Sequence, residues 1–300
     1  MRFHRESIAG RSWYKQRAVR AAWFGASLVV AAALREPVNA ESLVAPAPLV
    51  EWHDVSEPRG VVLLVHGLNN TPTAMRPLGE LLQRQRLTTG IVELTGHGDG
   101  TMRPIGGFET WVEDVRAAAR AAAERYPSTP LTVLGFSLGG AVALGALDDG
   151  MMPPVAKLVL IAPAVTLKGY TAPLRVISWF GVFGLAVPSV IPRTYRSSAT
   201  TPLAYYAHLF RLIEHLLTKP HTAAWGRVSA LVISSRGDEF VSHRRWDRYV
   251  RELGVRHWEH LILPPADTGL PGHLLLDEPS FGAENWNVVS ARLIDFLTAP

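Results

Sequence analysis

The stretch Leu131-Thr132-Val133-Leu134-Gly135-Phe136-Ser137-Leu138-Gly139 decides the fold of this chain. Its first four residues form a run typical of a buried strand. A small-residue segment that favours a helix, Gly140 to Leu147, follows the stretch. In this order of strand, turn and helix, G-x-S-x-G predicts a sharp turn that projects the Ser137 hydroxyl as a nucleophile. The glycines leave room where side chains would collide with neighbouring backbone. Five residues alone more often form an ordinary tight turn, so the interpretation depends on their surroundings.

A second strand-like run lies upstream of this turn. Val61 to Val65 is continuously apolar, as in a strand buried on both faces of a parallel sheet, and it runs into His66-Gly67-Leu68-Asn69-Asn70. A glycine at this point lets the backbone turn so that the Leu68 N–H and the Leu138 N–H point at one spot. We therefore predict that these two amides form an oxyanion hole. His66 is expected to shape the turn rather than to transfer protons.

An acid and a base are predicted in two loops further along the chain. Asp238 follows the strand-like run Ala230 to Ser235, and His273 follows the predicted last strand, His257 to Leu263. The chain order of nucleophile, acid and base then matches one known order of a Ser-His-Asp triad. Glu239 is a weaker candidate for the acid because the preceding turn favours its neighbour. Histidines inside the predicted strand are placed by its pleat rather than at a loop tip, so they are weaker candidates for the base.

Four motifs together resemble those of the α/β-hydrolase superfamily. They are H-G-L-N-N at residues 66–70, G-F-S-L-G-G at 135–140, G-D-E-F-V-S at 237–242 and G-H-L-L-L at 272–276. More narrowly, they are similar to the carboxylesterase, monoacylglycerol-lipase and serine-aminopeptidase-like branch with an inserted lid. The resemblance extends over nearly the whole chain after residue 50 and implies a serine hydrolase. Asn69-Asn70 departs from the branch, in which many members have a short Gly- or Ser-containing turn.

Composition and the alternation of elements predict the α/β class. The 300 residues are 48% hydrophobic, which is enough to bury one large core. Apolar runs, among them the predicted strand Gly90 to Leu94, alternate along the chain with helical segments such as Thr73 to Arg86, Phe108 to Tyr126 and Ser242 to Leu253. Strict alternation implies a mostly parallel central sheet flanked by helices on both faces. We expect an α/β-hydrolase domain over residues 41–300.

Residues 1–40 carry a different signal. Six basic residues and one acidic residue precede position 21, and an uncharged run from Ala21 to Leu34 follows. This run is too short to span a bilayer comfortably, and Val38-Asn39-Ala40 has small residues where a cleavage site needs them. We predict a secretory signal cleaved before Glu41 and an exported protein, periplasmic or secreted. An uncleaved membrane anchor and a plain N-terminal helix are the alternatives.

The charge balance argues against nucleic acid as a partner. The chain has 30 basic and 26 acidic side chains, but residues 1–40 hold seven of the basic and two of the acidic ones. The remainder has 23 basic and 24 acidic side chains, so the basic excess lies in the predicted signal. The sequence contains no cysteine, so disulfides cannot report its compartment.

The alternation of strands and helices breaks over residues 165–221. This segment is longer than one crossover helix needs, so we predict an inserted lid over the carboxyl edge of the sheet. Its apolar run contains Trp179, Phe180 and Phe183, which we predict to bind substrate by lining an acyl pocket or touching lipid. The alternative is that these rings only pack the insert onto the core. A transmembrane hairpin is disfavoured because Pro188 and two glycines interrupt the run.

The predicted function is cleavage of carboxylic esters with short to medium acyl chains, or of monoacylglycerol-like substrates. Ser137 would attack the acyl carbonyl and give its proton to His273, while Asp238 fixes the imidazole tautomer. Water then hydrolyses the acyl-enzyme, so neither a metal nor an organic cofactor is expected. The expected partner is a small ester or lipid, and peripheral membrane contact stays open.

Other functions could use the same residues or the same fold. Aminopeptidase or perhydrolase activity would need the same triad, and a non-catalytic binding protein could share the architecture. A binding protein usually lacks one of the three residues, and all three are present here. An aminopeptidase needs acidic groups to hold the substrate ammonium, but Glu214 is the single acidic residue between positions 164 and 219. Ester substrates are therefore favoured.

Overall fold

A computed structural model describes residues 49–98, 102–148, 150–218, 222–255 and 257–299. The predicted signal at residues 1–40, with its cleavage site, lies outside these ranges. The strands within them are β1 (Val50–His53), β2 (Gly60–Val65), β3 (Leu87–Val92), β4 (Leu131–Phe136), β5 (Lys157–Ile161), β6 (Ala186–Pro188), β7 (Thr200–Pro202), β8 (Ser229–Ser235) and β9 (Glu259–Leu263).

Helices connect these strands. The α-helices are α1 (Arg76–Gln83), α2 (Phe108–Arg125), α3 (Leu138–Leu147), α4 (Ala172–Ser178), α5 (Leu203–Thr218), α6 (Thr222–Trp225), α7 (His243–Glu252), α8 (Glu278–Phe281) and α9 (Ala283–Thr298). Short 3-10 helices cover Pro72–Met75, Gly169–Thr171 and Trp179–Phe183.

Seven of the strands form one sheet in the order β1-β3-β2-β4-β5-β8-β9. β1 runs antiparallel to β3, and every other neighbouring pair in this sheet is parallel. β2, β3 and β4 are buried along their whole length, as expected for strands covered by helices on both faces. The structure thus confirms the predicted fold class, a mostly parallel central sheet flanked by helices.

Each face of the sheet packs its own hydrophobic core. Because side chains alternate along a strand, Leu63 and Val65 of β2 belong to one core, and Val62 and Leu64 belong to the other. Helices α2, α3, α5 and α7 contribute to the first core, whereas α1 and α9 contribute to the second. The strands are therefore held from both sides, and their carboxyl ends are fixed positions for the loops that follow.

Some strands differ from the predicted ones, and β9 begins at Glu259 rather than at His257. β3 runs from Leu87 to Val92 instead of from Gly90 to Leu94, because Thr88 and Thr89 are buried within it. Threonine is β-branched and suits a strand despite its hydroxyl. β1 has no counterpart among the predicted elements, since this half-buried edge strand mixes polar and apolar residues.

The segment between β5 and β8 contains the predicted lid, which we call the insert (residues 165–221). Its described part comprises the Gly169–Thr171 turn, α4, the Trp179–Phe183 helix, the antiparallel pair β6-β7 and α5. Helix α5 buries Leu209, Leu212 and Leu216 in the first core. The insert is therefore fastened to the sheet through this helix.

Candidate active site

The turn after β4 has the strained backbone that its sequence predicts. Ser137 has φ +51° and ψ −112°, a conformation that side chains with a Cβ rarely adopt. The turn is tight enough that a Cβ on Gly135 would lie 2.5 Å from the backbone of Gly139. A Cβ on Gly139 would lie 2.2 Å from the carbonyl oxygen of Val65. These short distances show why both positions need glycine and how closely the turn lies against the end of β2.

The structure brings together the three residues predicted to form the triad. The Ser137 hydroxyl is hydrogen-bonded to His273 Nε2 at 2.8 Å, and His273 Nδ1 is hydrogen-bonded to Asp238 Oδ2 at 2.8 Å. Ser137 follows β4, and Asp238 lies in the loop after β8, so two parallel strands deliver both side chains to the same edge of the sheet. An unbroken series of hydrogen bonds therefore links the serine hydroxyl, the imidazole and the carboxylate.

Hydrogen bonds from the backbone hold the acid in place. Asp238 is only 1% exposed, and its second oxygen, Oδ1, accepts the N–H groups of Phe240 at 2.7 Å and Val241 at 2.8 Å. The other oxygen is thereby directed at the imidazole. The Lys168 ammonium donates to the Asp238 carbonyl and ties the insert to this loop.

Glu239 supports the predicted base, a role that the sequence does not predict. Its carboxylate accepts the N–H of Gly272 at 2.9 Å through Oε1 and the N–H of His273 at 2.9 Å through Oε2. The residue next to the acid therefore fixes the backbone that carries the base. The Glu239 carboxylate is thus hydrogen-bonded to the backbone of this loop. Asp238 is the carboxylate that is hydrogen-bonded to the imidazole, as the turn sequence predicts.

Opposing effects set the protonation of the base. Burial alone would lower the pKa of His273, but the charge and hydrogen bond of Asp238, together with the charge of Glu239, raise it above the usual 6.5. The rings of Phe136 and Phe240 pack against the imidazole, with centroids at 5.4 Å and 5.3 Å. The environment thus stabilises the imidazolium that forms when a serine gives up its proton.

The two amides predicted to form an oxyanion hole belong to segments that meet at Ser137. Leu138 is the first residue of α3, where a backbone N–H has no acceptor within the helix. Leu68 lines the same pocket as Ser137 and His273. The Leu68 N–H belongs to the same peptide unit as the Gly67 carbonyl. That carbonyl accepts the N–H of Asn70 at 3.1 Å.

A cavity of about 100 Å³ opens above Ser137 between the sheet and the insert. The insert supplies most of its apolar wall, namely Leu167, Leu174, Val190, Ile191, Leu209 and Phe210. Hydroxyl side chains at Thr171, Ser189, Thr201 and Tyr206 also line it. A second, smaller cavity of about 40 Å³ shares Ser137 and His273 with the first. The reacting atoms therefore lie where two spaces meet.

The predicted substrate-binding residues Trp179, Phe180 and Phe183 do not line either cavity. Trp179 is 77% exposed and Phe183 is 70% exposed. The physical reason is the glycine between them: Gly181 faces α5, and a Cβ there would lie 2.3 Å from the backbone nitrogen of Ala204. The 3-10 helix approaches the insert through its glycine and turns its rings outward. These rings therefore face away from both cavities, and the pocket wall is formed by other residues.

Asn69 and Asn70 connect the loop after β2, which holds the predicted oxyanion amide of Leu68 and which we call the oxyanion loop, to the insert. The Asn69 amide donates to the Ser198 carbonyl at 3.0 Å and accepts the Ser198 N–H at 2.8 Å, and Asn70 donates to the Tyr195 carbonyl at 3.1 Å. Asn69 has φ +54°, a left-handed conformation that asparagine tolerates better than most residues. This asparagine pair, at which the sequence departs from related proteins, therefore anchors the part of the insert that follows β6.

A second group of serine, histidine and aspartate lies away from this site. His260 is hydrogen-bonded through Nδ1 to Asp247 and through Nε2 to the hydroxyl of Ser234 at 3.0 Å. Ser234 is 2% exposed within β8 and lines no cavity described above. This group joins α7 to the sheet. Within the described residues, no cluster of three histidine or acidic side chains is arranged to hold a metal ion.

Comparison with known proteins shows similarity to lipases and to a family of serine peptidases. The sequence profile of the family described as serine aminopeptidase, S33, matches residues 56–204. The monoacylglycerol lipase of Mycolicibacterium smegmatis is 30% identical over 129 residues, which cover 42% of this chain and 45% of that protein. The monoglyceride lipase of Homo sapiens is 26% identical over 142 residues, which cover 46% of each chain. The chain thus spans slightly under half the length of these relatives.

Solved structures share the architecture over more of the chain. A soluble variant of monoglyceride lipase from Saccharomyces cerevisiae, solved with a substrate analog, has a TM-score of 0.68 at 14% identity, covering 83% of this chain and 90% of its own. The monoacylglycerol lipase of Paleococcus ferrophilus has a TM-score of 0.61 at 16% identity, covering 83% of this chain and 98% of its own. At such identities the similarity establishes the fold.

Proposed function

We propose that this chain, which belongs to the α/β-hydrolase superfamily in the branch of carboxylesterases, monoacylglycerol lipases and serine aminopeptidases, is a serine ester hydrolase. The observation that carries the proposal is the hydrogen-bonded path from Ser137 through His273 to Asp238 beneath an apolar cavity. The matched regions of a bacterial monoacylglycerol lipase and the human monoglyceride lipase support it.

Each residue of the path has a role in the proposed acyl transfer. His273 Nε2 takes the proton of Ser137 as the hydroxyl oxygen attacks the ester carbonyl, and the alcohol leaves with that proton. Asp238 accepts from Nδ1, which keeps Nε2 free to act as the base and stabilises the imidazolium. The Leu68 and Leu138 amides donate to the oxyanion of the tetrahedral intermediate, where one such donor is worth roughly 2.7–4 kcal/mol. Water then releases the acid by the same steps.

The character of the cavity favours an ester with an aliphatic acyl chain. Leu174, Ile191 and Phe210 offer apolar surface, and each methylene buried there contributes about 0.8 kcal/mol. We therefore propose medium acyl chains over acetyl. Hydroxyl groups at Thr201 and Tyr206 suit the uncharged hydroxyls of a glycerol-like alcohol. Burial raises the pKa of Tyr206 to about 12, so its phenol stays a neutral donor.

Aminopeptidase activity is the second candidate, because the matched family is described by that activity. The substrate of an aminopeptidase carries an ammonium group, which needs a carboxylate nearby. Of the described residues, those that line the two cavities at Ser137 include no aspartate or glutamate. Glu239 is already bonded to two backbone N–H groups. These observations favour the ester substrate.

The exposed apolar side chains of the insert suit contact with a lipid surface, at which the enzyme would bind its substrate. Trp179, Val182 and Phe183 are each at least 65% exposed on one short helix. The neighbouring groove is lined by the cationic side chains of Lys168, Arg175, Arg245 and Arg248 and by the carboxylate of Glu252, and Arg175 is paired with Glu214 at 2.8 Å. Aromatic rings beside basic residues match the interface of an anionic membrane. Among the described residues, no helix is long and apolar enough to span a bilayer.

Export remains part of the proposal. The basic residues before position 21 and the apolar run that follows support a cleaved signal. N-terminal sequencing of the native protein should then begin at Glu41. An intact Met1 on a species that fractionates with the cytoplasm would contradict export.

The proposed activity is tested with a fluorophosphonate probe and a substrate panel. Purified protein should be labelled on Ser137, and the Ser137→Ala variant should show neither labelling nor ester turnover while keeping its circular dichroism spectrum. A panel of p-nitrophenyl esters of increasing chain length, run beside aminoacyl anilides, separates the two candidate activities. Faster turnover of the anilides would overturn the ester assignment, and labelling that persists in the alanine variant would overturn the nucleophile.

A further inference from the structure

His66 is a buried histidine that the proposed chemistry does not use. It follows β2, is 0% exposed and lines neither cavity at Ser137. Its Nδ1 lies 2.9 Å from the carbonyl oxygen of Gly67, and its Nε2 lies 3.2 Å from the backbone nitrogen of Leu94. Both ring nitrogens are therefore engaged, one with the oxyanion loop and one with the segment after β3.

The partners of the ring fix its tautomer. A backbone N–H can only donate, so the Leu94 amide requires a lone pair on Nε2. The single proton of the neutral imidazole then lies on Nδ1 and is donated to the Gly67 carbonyl. Burial lowers the pKa of His66 to about 4, and the Gly67 carbonyl offsets only part of this effect. The ring is thus neutral at physiological pH, with one donor and one acceptor.

The Gly67 carbonyl belongs to the same peptide unit as the Leu68 N–H. This peptide is planar and trans, so its C=O and N–H point in opposite directions. The Asn70 N–H also donates to the carbonyl, at 3.1 Å. Of these two donors, His66 lines neither cavity, whereas Leu68 lines the cavity at Ser137. Because the carbonyl oxygen is held toward the imidazole, the Leu68 N–H points away from that ring.

We propose that His66 is a positioning residue for acyl transfer, which fixes the Gly67–Leu68 peptide so that the Leu68 N–H meets the developing oxyanion. This inference rests on the proposed function, because it assumes that Leu68 is an oxyanion donor. Without the imidazole proton, Asn70 alone would hold the carbonyl. A glycine-containing peptide can rotate at low cost, so the donor would spend less time in its productive orientation.

Two substitutions separate the two hydrogen bonds of the ring. In His66→Asn the amide nitrogen takes the place of Nδ1, so a donor to Gly67 is kept and the contact with Leu94 is lost. In His66→Gln the amide group reaches the place of Nε2, so an acceptor for Leu94 is kept and the donor to Gly67 is lost. The measurements are kcat, KM and the affinity for an alkyl boronic acid, whose tetrahedral adduct with the serine places an oxygen in the oxyanion position.

Positioning predicts that His66→Gln loses kcat about 10²-fold, approaching the loss for one missing oxyanion donor. Boronate affinity should fall with it while KM changes little, and His66→Asn should retain most of both. A merely structural role predicts the reverse order, since the glutamine variant keeps the link to Leu94. Equal activity of both variants, or lower kcat with unchanged boronate affinity, would overturn the inference. If the wild type neither turns over esters nor binds the boronate, the proposed function fails instead.

Discussion

The two walls that meet at Ser137 are built in different ways. On the sheet side, Ser137 and Asp238 are 8% and 1% exposed, and backbone geometry and hydrogen bonds fix both. On the insert side, apolar side chains face the cavity, while Trp179 and Phe183 of the same segment are exposed. Under the proposed function, the sheet wall would determine which reaction occurs, and the insert wall would determine which molecules reach it. Variants in the two walls should then fail in different ways.

The largest effect is expected from Asp238→Asn in the sheet wall. The amide cannot stabilise the imidazolium or hold the reactive tautomer, so kcat should fall by about 10⁴. His273 must be neutral to accept a proton, so activity is lost as the pH falls through its pKa. Burial lowers that pKa, whereas the charge and hydrogen bond of Asp238, together with the charge of Glu239, offset the burial and raise it. Removing the charge should therefore move the acid limb of kcat/KM to lower pH.

Asp247→Asn is the matched control, because Asp247 also carries a hydrogen bond from a histidine, His260. This pair lies outside the two cavities, so kcat should stay within about threefold of the wild type. Comparable losses in the two variants would show that the effect comes from general disruption of the fold. Retention of a tenth or more of the activity in Asp238→Asn would remove Asp238 from the proposed triad.

The sequence predicts this wall well, because each of its residues follows a strand in a recognisable local motif. The glycines around Ser137, the Gly237-Asp238 turn and the loop that carries His273 all encode their geometry over a few residues. Parallel pairing then brings the strand ends to one edge. Glu239 is not predicted in its role, because its two N–H partners lie 33 and 34 residues away and meet it only in the folded loop.

The insert is predicted less well because its orientation depends on contacts across the fold. An apolar run with three rings suggests a buried face, but the close approach of Gly181 to α5 decides which side turns inward. The wall of the cavity comes from Leu174, Val190 and Phe210, which lie on separate elements. No local pattern marks them as neighbours, so their role follows only from the assembled structure.

The next largest effect is expected from Gly139→Ala, also in the sheet wall. The new Cβ would meet the Val65 carbonyl at 2.2 Å and the His66 carbonyl at 2.6 Å, so the turn or the oxyanion loop must shift. Overpacking of this kind costs about 1–3 kcal/mol in the free energy of unfolding, and a misplaced turn should lower kcat by about 10². Thermal unfolding and ester turnover measure the two effects.

Gly106→Ala is the control for that substitution. A Cβ on Gly106 would have nothing within 4 Å, so neither the melting temperature nor kcat should change. A Gly139→Ala enzyme with wild-type kcat would show that the sheet wall tolerates displacement, and it would weaken the contrast between the two walls.

Smaller effects are expected when the two surfaces of the insert are compared. Leu174→Ala removes part of the acyl wall, so the preference for longer acyl chains should weaken by roughly fourfold for each methylene that loses its contact, or about 0.8 kcal/mol. Trp179→Ala should leave the profile for dissolved esters unchanged, because the ring is outside the cavity. It should instead reduce binding to anionic vesicles, measured by sedimentation.

Val288→Ala is the control for the exposed surface, since Val288 is 50% exposed on α9 and distant in sequence from the insert. Its vesicle binding should equal that of the wild type. A chain-length profile that changes in Trp179→Ala and not in Leu174→Ala would reverse the assignment of the two surfaces. Equal vesicle binding by all variants would remove the lipid contact and leave the acyl wall intact.

A similarly small effect is expected from Glu239→Gln, which alters the support of the base and leaves the triad intact. The glutamine keeps one carbonyl acceptor, but its NH₂ group would face a backbone N–H of Gly272 or His273, where the carboxylate now accepts both. The loop should loosen, and kcat should fall by about threefold to tenfold, since one charge-assisted hydrogen bond is worth roughly 1.5–3 kcal/mol and a loop can relax.

The negative charge of Glu239 also helps to raise the pKa of His273. The acid limb should therefore move in the same direction as in Asp238→Asn and by less. Glu124→Gln, at an exposed position on α2, controls for the loss of one charge. A loss of kcat with no movement of the acid limb would mean that Glu239 acts through loop geometry alone, whereas a shift as large as that of Asp238→Asn would make it an electrostatic partner of the base in its own right.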